Sequence, residues 1–154
     1  MSELENITKL TAEFPLVFAR GIRCASGFDD GWYPLIRQLC ADIEKILAGL
    51  NPEERAIFRV SQIKEKFGGL VFSTRMQTTT ANNQIFDLVY LAEEPMVYEQ
   101  ILDLVSKAEE RSRQICEVCG EDGARREGNW IRTLCDTHAN GAARYEGTRG
   151  CPGG

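Results

Sequence analysis

The sequence predicts an α+β fold closed by a small C-terminal module, on three observations. Apolar residues recur at three- and four-residue steps from Trp32 to Leu50. Two β-rich stretches, Phe58 to Lys64 and Leu70 to Met76, flank Phe67-Gly68-Gly69. Near the C-terminus, Cys116-Glu117-Val118-Cys119 is followed by Cys135-Asp136-Thr137-His138, two close pairs of soft ligand types.

Each element has a local reason. Ser2 to Leu10 carries apolar residues three apart and suits a short amphipathic helix that Pro15 ends. Gly21 to Gly31 holds three glycines and the Asp29-Asp30 pair, an irregular loop from which either aspartate can cap the next helix. In that helix Leu35, Ile36, Leu39, Cys40, Ile43, Ile46 and Leu47 form the apolar stripe, and Gly49 with Asn51-Pro52 supplies the stop. Trp32 and Tyr33 at its entrance read as core or staple residues.

The two β-rich stretches form an antiparallel hairpin around Gly68-Gly69. Ile85 to Leu91 fits a helix by the spacing of Ile85, Leu88 and Val89, with a third strand as the alternative. Pro95 opens a further helix striped by Val97, Ile101, Leu104, Val105 and Ala108, with Asp103–Lys107 and Glu109–Arg113 spaced to pair on its outer face.

The chain of 154 residues, with 43% apolar and 27% charged residues, suits one principal domain with an appendage. The expected division is an α+β domain over 1–113, a metal module over 114–140 and a flexible Gly/Arg-rich tail over 141–154. No stretch matches a membrane span, and Met1 to Glu5 lacks the basic-then-apolar character of a secretory signal, so a cytoplasmic setting is expected. The net charge of −5 argues against wholesale binding of a polyanion. Acids outnumber bases seventeen to eleven over 1–110, whereas seven arginines face six acids over 111–154.

The C-x2-C-x15-C-x2-H spacing points to structural Zn2+, because tight turns aim paired side chains at one tetrahedral ion. Cys116, Cys119, Cys135 and His138 are the expected ligands, with Cys151 as an alternative to His138. Gly120 permits the reversed turn after the second cysteine, and Trp130 to Leu134 suits a strand between the pairs. A disulfide framework is the competing reading of six cysteines, disfavoured by this grouping.

Three Cys and one His complete a coordination sphere, whereas a catalytic zinc keeps a position open. His138 is the only histidine, so its use as a ligand leaves no imidazole to activate Cys24, Cys40 or Cys151. Cys40 reads as a core thiol and Cys24, near Arg20 and Arg23, as a loop cysteine. No catalytic residues are assigned, and no enzymatic activity is expected.

Taken together, Gly31-Trp32-Tyr33-Pro34-Leu35-Ile36, Lys64-Glu65-Lys66-Phe67-Gly68-Gly69-Leu70, Ala108-Glu109-Glu110-Arg111-Ser112 and the stretch from Cys116 to His138 carry a resemblance. The chain resembles a group of small zinc-ribbon proteins of phages and prophages whose activity is generally unassigned. Residues 77–95 and the glycine-rich tail depart from that pattern. The resemblance supports the fold and a structural zinc; the leading functional expectation is a non-enzymatic phage-type accessory protein partnered by a host or phage protein, with inhibition of a bacterial defence system as one version of a phage origin. The alternative is nucleic-acid binding through arginines including Arg125, Arg126 and Arg132, with Trp130 stacking on a base. A solvated ribbon face with a buried Trp130 is the plain structural expectation.

Overall fold

The computed structural model describes residues 2–79, 85–87 and 95–145. Helix α1 (Glu3–Glu13) begins with a capping box, Ser2 Oγ accepting the Glu5 N–H at 3.2 Å and the Glu5 carboxylate accepting the Ser2 N–H at 2.7 Å. It stops at Phe14, before Pro15. Leu10 is buried, and so is Asn6, whose Nδ2 donates to the Phe28 carbonyl at 3.2 Å and to Asp30 Oδ1 at 2.9 Å. These bonds tie α1 to the loop ahead of the main helix.

The glycine-bearing loop has a second role that composition does not announce. Ile22 and Gly27 form isolated parallel bridges with Val60 and Lys64 of strand β1 (Phe58–Lys66). Cys24 donates its N–H to the Ser61 carbonyl at 2.8 Å, and Gly27 to the Ile63 carbonyl at 2.9 Å. The loop thereby covers an edge whose unpaired backbone groups would otherwise be a template for aggregation.

Helix α2 (Tyr33–Ala48) follows a 3-10 turn, Asp30–Trp32. Asp29 caps that turn by accepting the Asp30 N–H; the N-cap of α2 itself is Trp32, which makes no side-chain capping bond. Ile36, Leu39, Cys40, Ile43 and Leu47 are buried as the periodicity requires. Burial raises the Cys40 thiol far above its ordinary pKa, and the charges of Glu44 and Glu13 add to the rise, so it is a core thiol. From the same helix the Glu44 carboxylate accepts the N–H groups of Leu16 and Val17 at 3.1 and 2.9 Å, holding the chain that leaves α1. Asn51-Pro52 ends α2 and also starts a short helix, α3 (Pro52–Ala56), through an Asn51–Glu54 capping box. The expected stop is therefore also a start.

Strands β1, β2 (Gly69–Thr79) and β3 (Ile85–Asp87) form an antiparallel sheet in that order. Where apolar spacing favours a helix from residue 85, Ile85–Asp87 pairs instead with Gln77–Thr79 of β2. Available backbone pairing overrides a short and ambiguous period; residues 88–91 of that expected helix lie outside the described residues. The β1–β2 turn places Phe67 at φ 51° and Gly68 at φ 73°, the two left-handed residues of a tight hairpin turn. For a side chain as large as Phe67 this conformation costs on the order of 1–2 kcal/mol.

Helix α4 (Pro95–Ser112) packs against β2 and α2, burying Ile101, Val105 and Ala108. The Glu109 carboxylate accepts the Phe72 N–H at 2.9 Å, and Ser112 Oγ accepts the Leu70 N–H at 2.8 Å, so α4 satisfies the part of β2 that β3 does not reach. Asp103 and Lys107 pair at 2.7 Å as their spacing predicts; Glu109, expected to face Arg113, serves the strand. The main core lies between α2, α4 and the hairpin, with Ile36, Ile43, Val60, Ile63, Phe72 and Ile101 at its centre. Among the described residues no helix is long and apolar enough to cross a membrane.

The body meets the C-terminal module at Gly31. Its N–H donates to the Glu117 carbonyl at 2.7 Å, and a Cβ there would lie 2.0 Å from the Cys116 carbonyl oxygen. Beside it, Trp32 is 1% exposed and donates from Nε1 to the Ile115 carbonyl at 2.9 Å. Gly31→Ala is expected to lower stability by about 3 kcal/mol, a fall in Tm on the order of 10 °C, because backbone must move to admit the methyl. Gly49→Ala, whose Cβ would come no closer than 3.4 Å to a neighbour, should stay within about 0.5 kcal/mol of the parent. Thermal melts of both proteins measure the difference, and equal midpoints would refute the backbone-contact account.

Candidate metal centre

The ligand pairs are delivered by a knuckle, a hairpin and a short helix. In the knuckle, Cys116 donates its N–H to the Glu121 carbonyl at 2.7 Å and Gly120 returns its N–H to the Cys116 carbonyl at 3.0 Å. Gly120 sits at φ 80°, which a side chain would resist. Strands β4 (Ala124–Arg126) and β5 (Arg132–Leu134) then pair antiparallel, and helix α5 (Asp136–Ala139) follows at once. Cys135 is the N-cap of α5 and His138 lies one turn on, so the second pair meets at the helix start. The expected strand from Trp130 to Leu134 begins two residues later, at Arg132.

Cys116 Sγ, Cys119 Sγ, Cys135 Sγ and a ring nitrogen of His138 all lie within 4.8 Å of one another. Cys119 and Cys135 sulfurs are 3.8 Å apart, while Nδ1 of His138 is 3.6 Å from Cys116 Sγ and 3.1 Å from Cys135 Sγ. A tetrahedral ion with bonds of about 2.3 Å to sulfur and 2.0–2.1 Å to nitrogen sets its ligands about 3.8 Å (S to S) and 3.6 Å (S to N) apart. The donor set fits such an ion, the Cys135–His138 approach being the tightest. Cys151 lies outside the described residues; His138 completes the cluster.

Electrostatics also favours a cation. Burial pushes the Cys116 thiol up, but N–H groups of Cys135, Cys119 and Val118 point at its sulfur, with the Cys119 thiol adding to them, and bring it down to about 6. The Glu121 N–H favours the thiolate of Cys119, yet burial and the neighbouring sulfurs outweigh it and hold that thiol above its ordinary value. One thiolate is thus prepared, and further negative charge beside it is resisted until a metal ion balances it.

The surrounding residues fix the frame. Arg126, 7% exposed, donates from Nε to the Leu134 carbonyl at 3.1 Å, from Nη1 to Ala142 at 3.4 Å and from Nη2 to Asp136 Oδ1 at 2.7 Å. It braces the start of α5 and is withdrawn from the surface on which a partner contact was expected. Residues 142–145, assigned by composition to a loose tail, run beside β4: Arg144 bridges Arg126, and Tyr145 donates its N–H to the Arg125 carbonyl at 2.7 Å. The rest of that tail, from residue 146, lies outside the described residues, Arg149 included.

Glu117, between the first two ligands, is 3% exposed. Its carboxylate accepts the Thr133 N–H at 2.8 Å and Arg132 Nε at 2.9 Å, while Arg132 Nη2 reaches Asp29 at 3.2 Å. Burial raises the Glu117 carboxyl more than these partners lower it, whereas on Arg132 the two carboxylates outweigh burial and hold the guanidinium charged. Nothing in the spacing of the sequence signals Glu117; its role appears once the knuckle is laid against β5. Asp29 and Asp30 are likewise structural, bonded to Arg132 and Asn6 respectively.

Of the remaining surface candidates, Arg125 is half-buried, donating to the Phe67 carbonyl at 2.7 Å and lying 5.2 Å from the Tyr145 ring centroid. Trp130 contradicts the expectation of burial. It is 68% exposed, its Nε1 donating to Glu65 Oε2 at 3.0 Å. Cys24 is exposed, away from the cluster, and Arg20 is turned to the Gln77 carbonyl.

Cys135→Ser should abolish tight metal retention, and Arg126→Ala should weaken it about ten-fold through the lost brace; metal titration against a chromophoric chelator reads both. The pH sign follows from Cys116: its folded value of about 6 lies below the ordinary 9.0, so thiolate stabilisation is full above pH 9 and is lost as pH falls through about 6. Metal release should steepen on acidification across that range, and a release rate flat from pH 8 to about 5 would contradict it. No protein-family model, curated protein or solved structure matches this chain.

Proposed function

We propose that the protein is a non-enzymatic accessory protein of the phage type that holds one structural Zn2+ and binds a macromolecular partner, a host or phage protein, in the bacterial cytoplasm. Phage origin, with inhibition of a bacterial defence system as its version, rests on the motif resemblance. Zinc is the ion that best suits three thiolates and an imidazole at tetrahedral spacing. Four protein ligands fill such an ion's sphere, and they serve to hold the β4–β5 hairpin in place.

The observation that carries the binding reading is the exposure of Phe67 and Trp130, at 61% and 68%, on two hairpins fastened to each other. Thr133 Oγ1 donates to the Gly68 carbonyl and Arg125 to that of Phe67, so the metal module grips the β1–β2 turn. Large aromatics held outward on a rigid frame suit recognition of another macromolecule. The nucleic-acid alternative is weaker, since Arg126 and Arg132 are engaged internally.

Elemental analysis of protein purified without added metal should give one zinc per chain. Pull-down from bacterial lysate should retain a protein partner in a metal-dependent way; retention of none would count against this reading. A gel shift that is strong at low salt and lost near ~200 mM would instead favour nucleic acid.

A further inference from the structure

Trp130 stands between two hollows of opposite character. On one side is a groove of about 500 Å3 lined by the apolar side chains Phe67, Trp130 and Ile131 together with Lys64, Glu65 and Lys66, the Lys66 ammonium standing 5.9 Å from the Phe67 ring centroid. On the other is a hollow of about 410 Å3 lined, among the described residues, by the carboxylates of Glu3, Asp29, Glu65 and Glu117 and the guanidinium of Arg132, a surplus of three negative charges over those residues. The guanidinium is already bonded to Glu117 and Asp29. Glu65 accepts from both Trp130 Nε1 and the Gly68 N–H, which fixes the indole relative to the turn.

Two features here oppose stability and gain nothing from the core. Phe67 adopts a left-handed backbone that its side chain disfavours, yet the ring is exposed. Trp130 exposes most of a large apolar ring. A cation is the charge that the acidic hollow accepts, and an indole face beside carboxylates adds cation–π attraction. A phosphate would meet the same surplus as repulsion.

We propose that this surface docks a short segment of a partner protein, its apolar side chain lying on Phe67 and Trp130 and a neighbouring arginine or lysine entering the acidic hollow. This site deepens the protein-binding reading above and rests on it.

The test uses the metal-loaded full chain and three probes: an end-blocked leucine-glycine-arginine tripeptide, its counterpart ending in glutamate, and an oligonucleotide of ten thymidines. The chain has two tryptophans, so the indole N–H signal of Trp130 is identified in a 15N spectrum by its loss in Trp130→Phe. The arginine peptide should shift that signal saturably, and Glu3→Gln should weaken binding about three-fold while Glu53→Gln, at an exposed acid on α3, leaves it unchanged. Phe67→Asn, which suits the left-handed turn, should fold at least as stably and bind more weakly. No saturable shift, an equal response to the glutamate peptide, equal effects of the two Glu→Gln changes, or tighter binding of the oligonucleotide would overturn the proposal. Peptide binding with no partner retained from lysate would sink the broader reading alone; a retained partner held equally by Trp130→Ala would sink this site alone.

Discussion

The approach of Gly31 to the backbone of Cys116 and Glu117 is the contact on which the rest of the molecule depends. Two main chains pass closely enough that a single methyl group could not stand between them. The contact sets Trp32 under Ile115, presents Asp29 to Arg132, and aligns the knuckle with both α2 and β5. The hydrophobic clusters of body and module are separate, Cys116, Leu134 and Ala139 forming the smaller one. Backbone proximity and a polar network therefore join what apolar packing does not. A buried carboxylate in that network is tolerable because Glu117 accepts from both a backbone amide and a guanidinium.

A similar economy governs the metal centre. Thiolates are poor neighbours for one another: the fold eases ionisation of Cys116 by aiming three backbone N–H groups at it, while burial and the neighbouring sulfurs hold the Cys119 thiol above its ordinary value. A cation relieves that opposition. Coordination in such a site is coupled to folding, because the ligands come from the knuckle and from the start of α5, which have few apolar contacts of their own. Arg126 extends the coupling outward by linking the hairpin, α5 and the chain that follows it.

The same frame fixes the β1–β2 turn. Gly68 and Phe67 offer their carbonyls to Thr133 and Arg125, and Glu65 links the turn to Trp130. Once those bonds are made, the left-handed conformation of Phe67 is determined by its surroundings rather than by its own preference. What then remains outside is aromatic surface beside a hollow lined by carboxylates.

The long helices and the hairpin were legible because a period of 3.6 or 2 is written locally, in α2, α4, β1 and β2. The four metal ligands were legible for the same reason: each pair lies within one turn, so spacing alone aims it. At Ile85–Asp87 the weaker alternative, a third strand, is the one found, because so short and ambiguous a period cannot compete with an available strand partner. Glu117, Arg126, Gly31 and the exposure of Trp130 were not legible, since each depends on contacts between segments far apart in the chain. Trp32 and Trp130 make the distinction plain: one indole is 1% exposed and the other 68%, and no property of tryptophan separates them. By itself the sequence determined the local elements and the ligand set; only the tertiary structure decided which polar groups were consumed in joining them and which aromatic rings were left facing solvent.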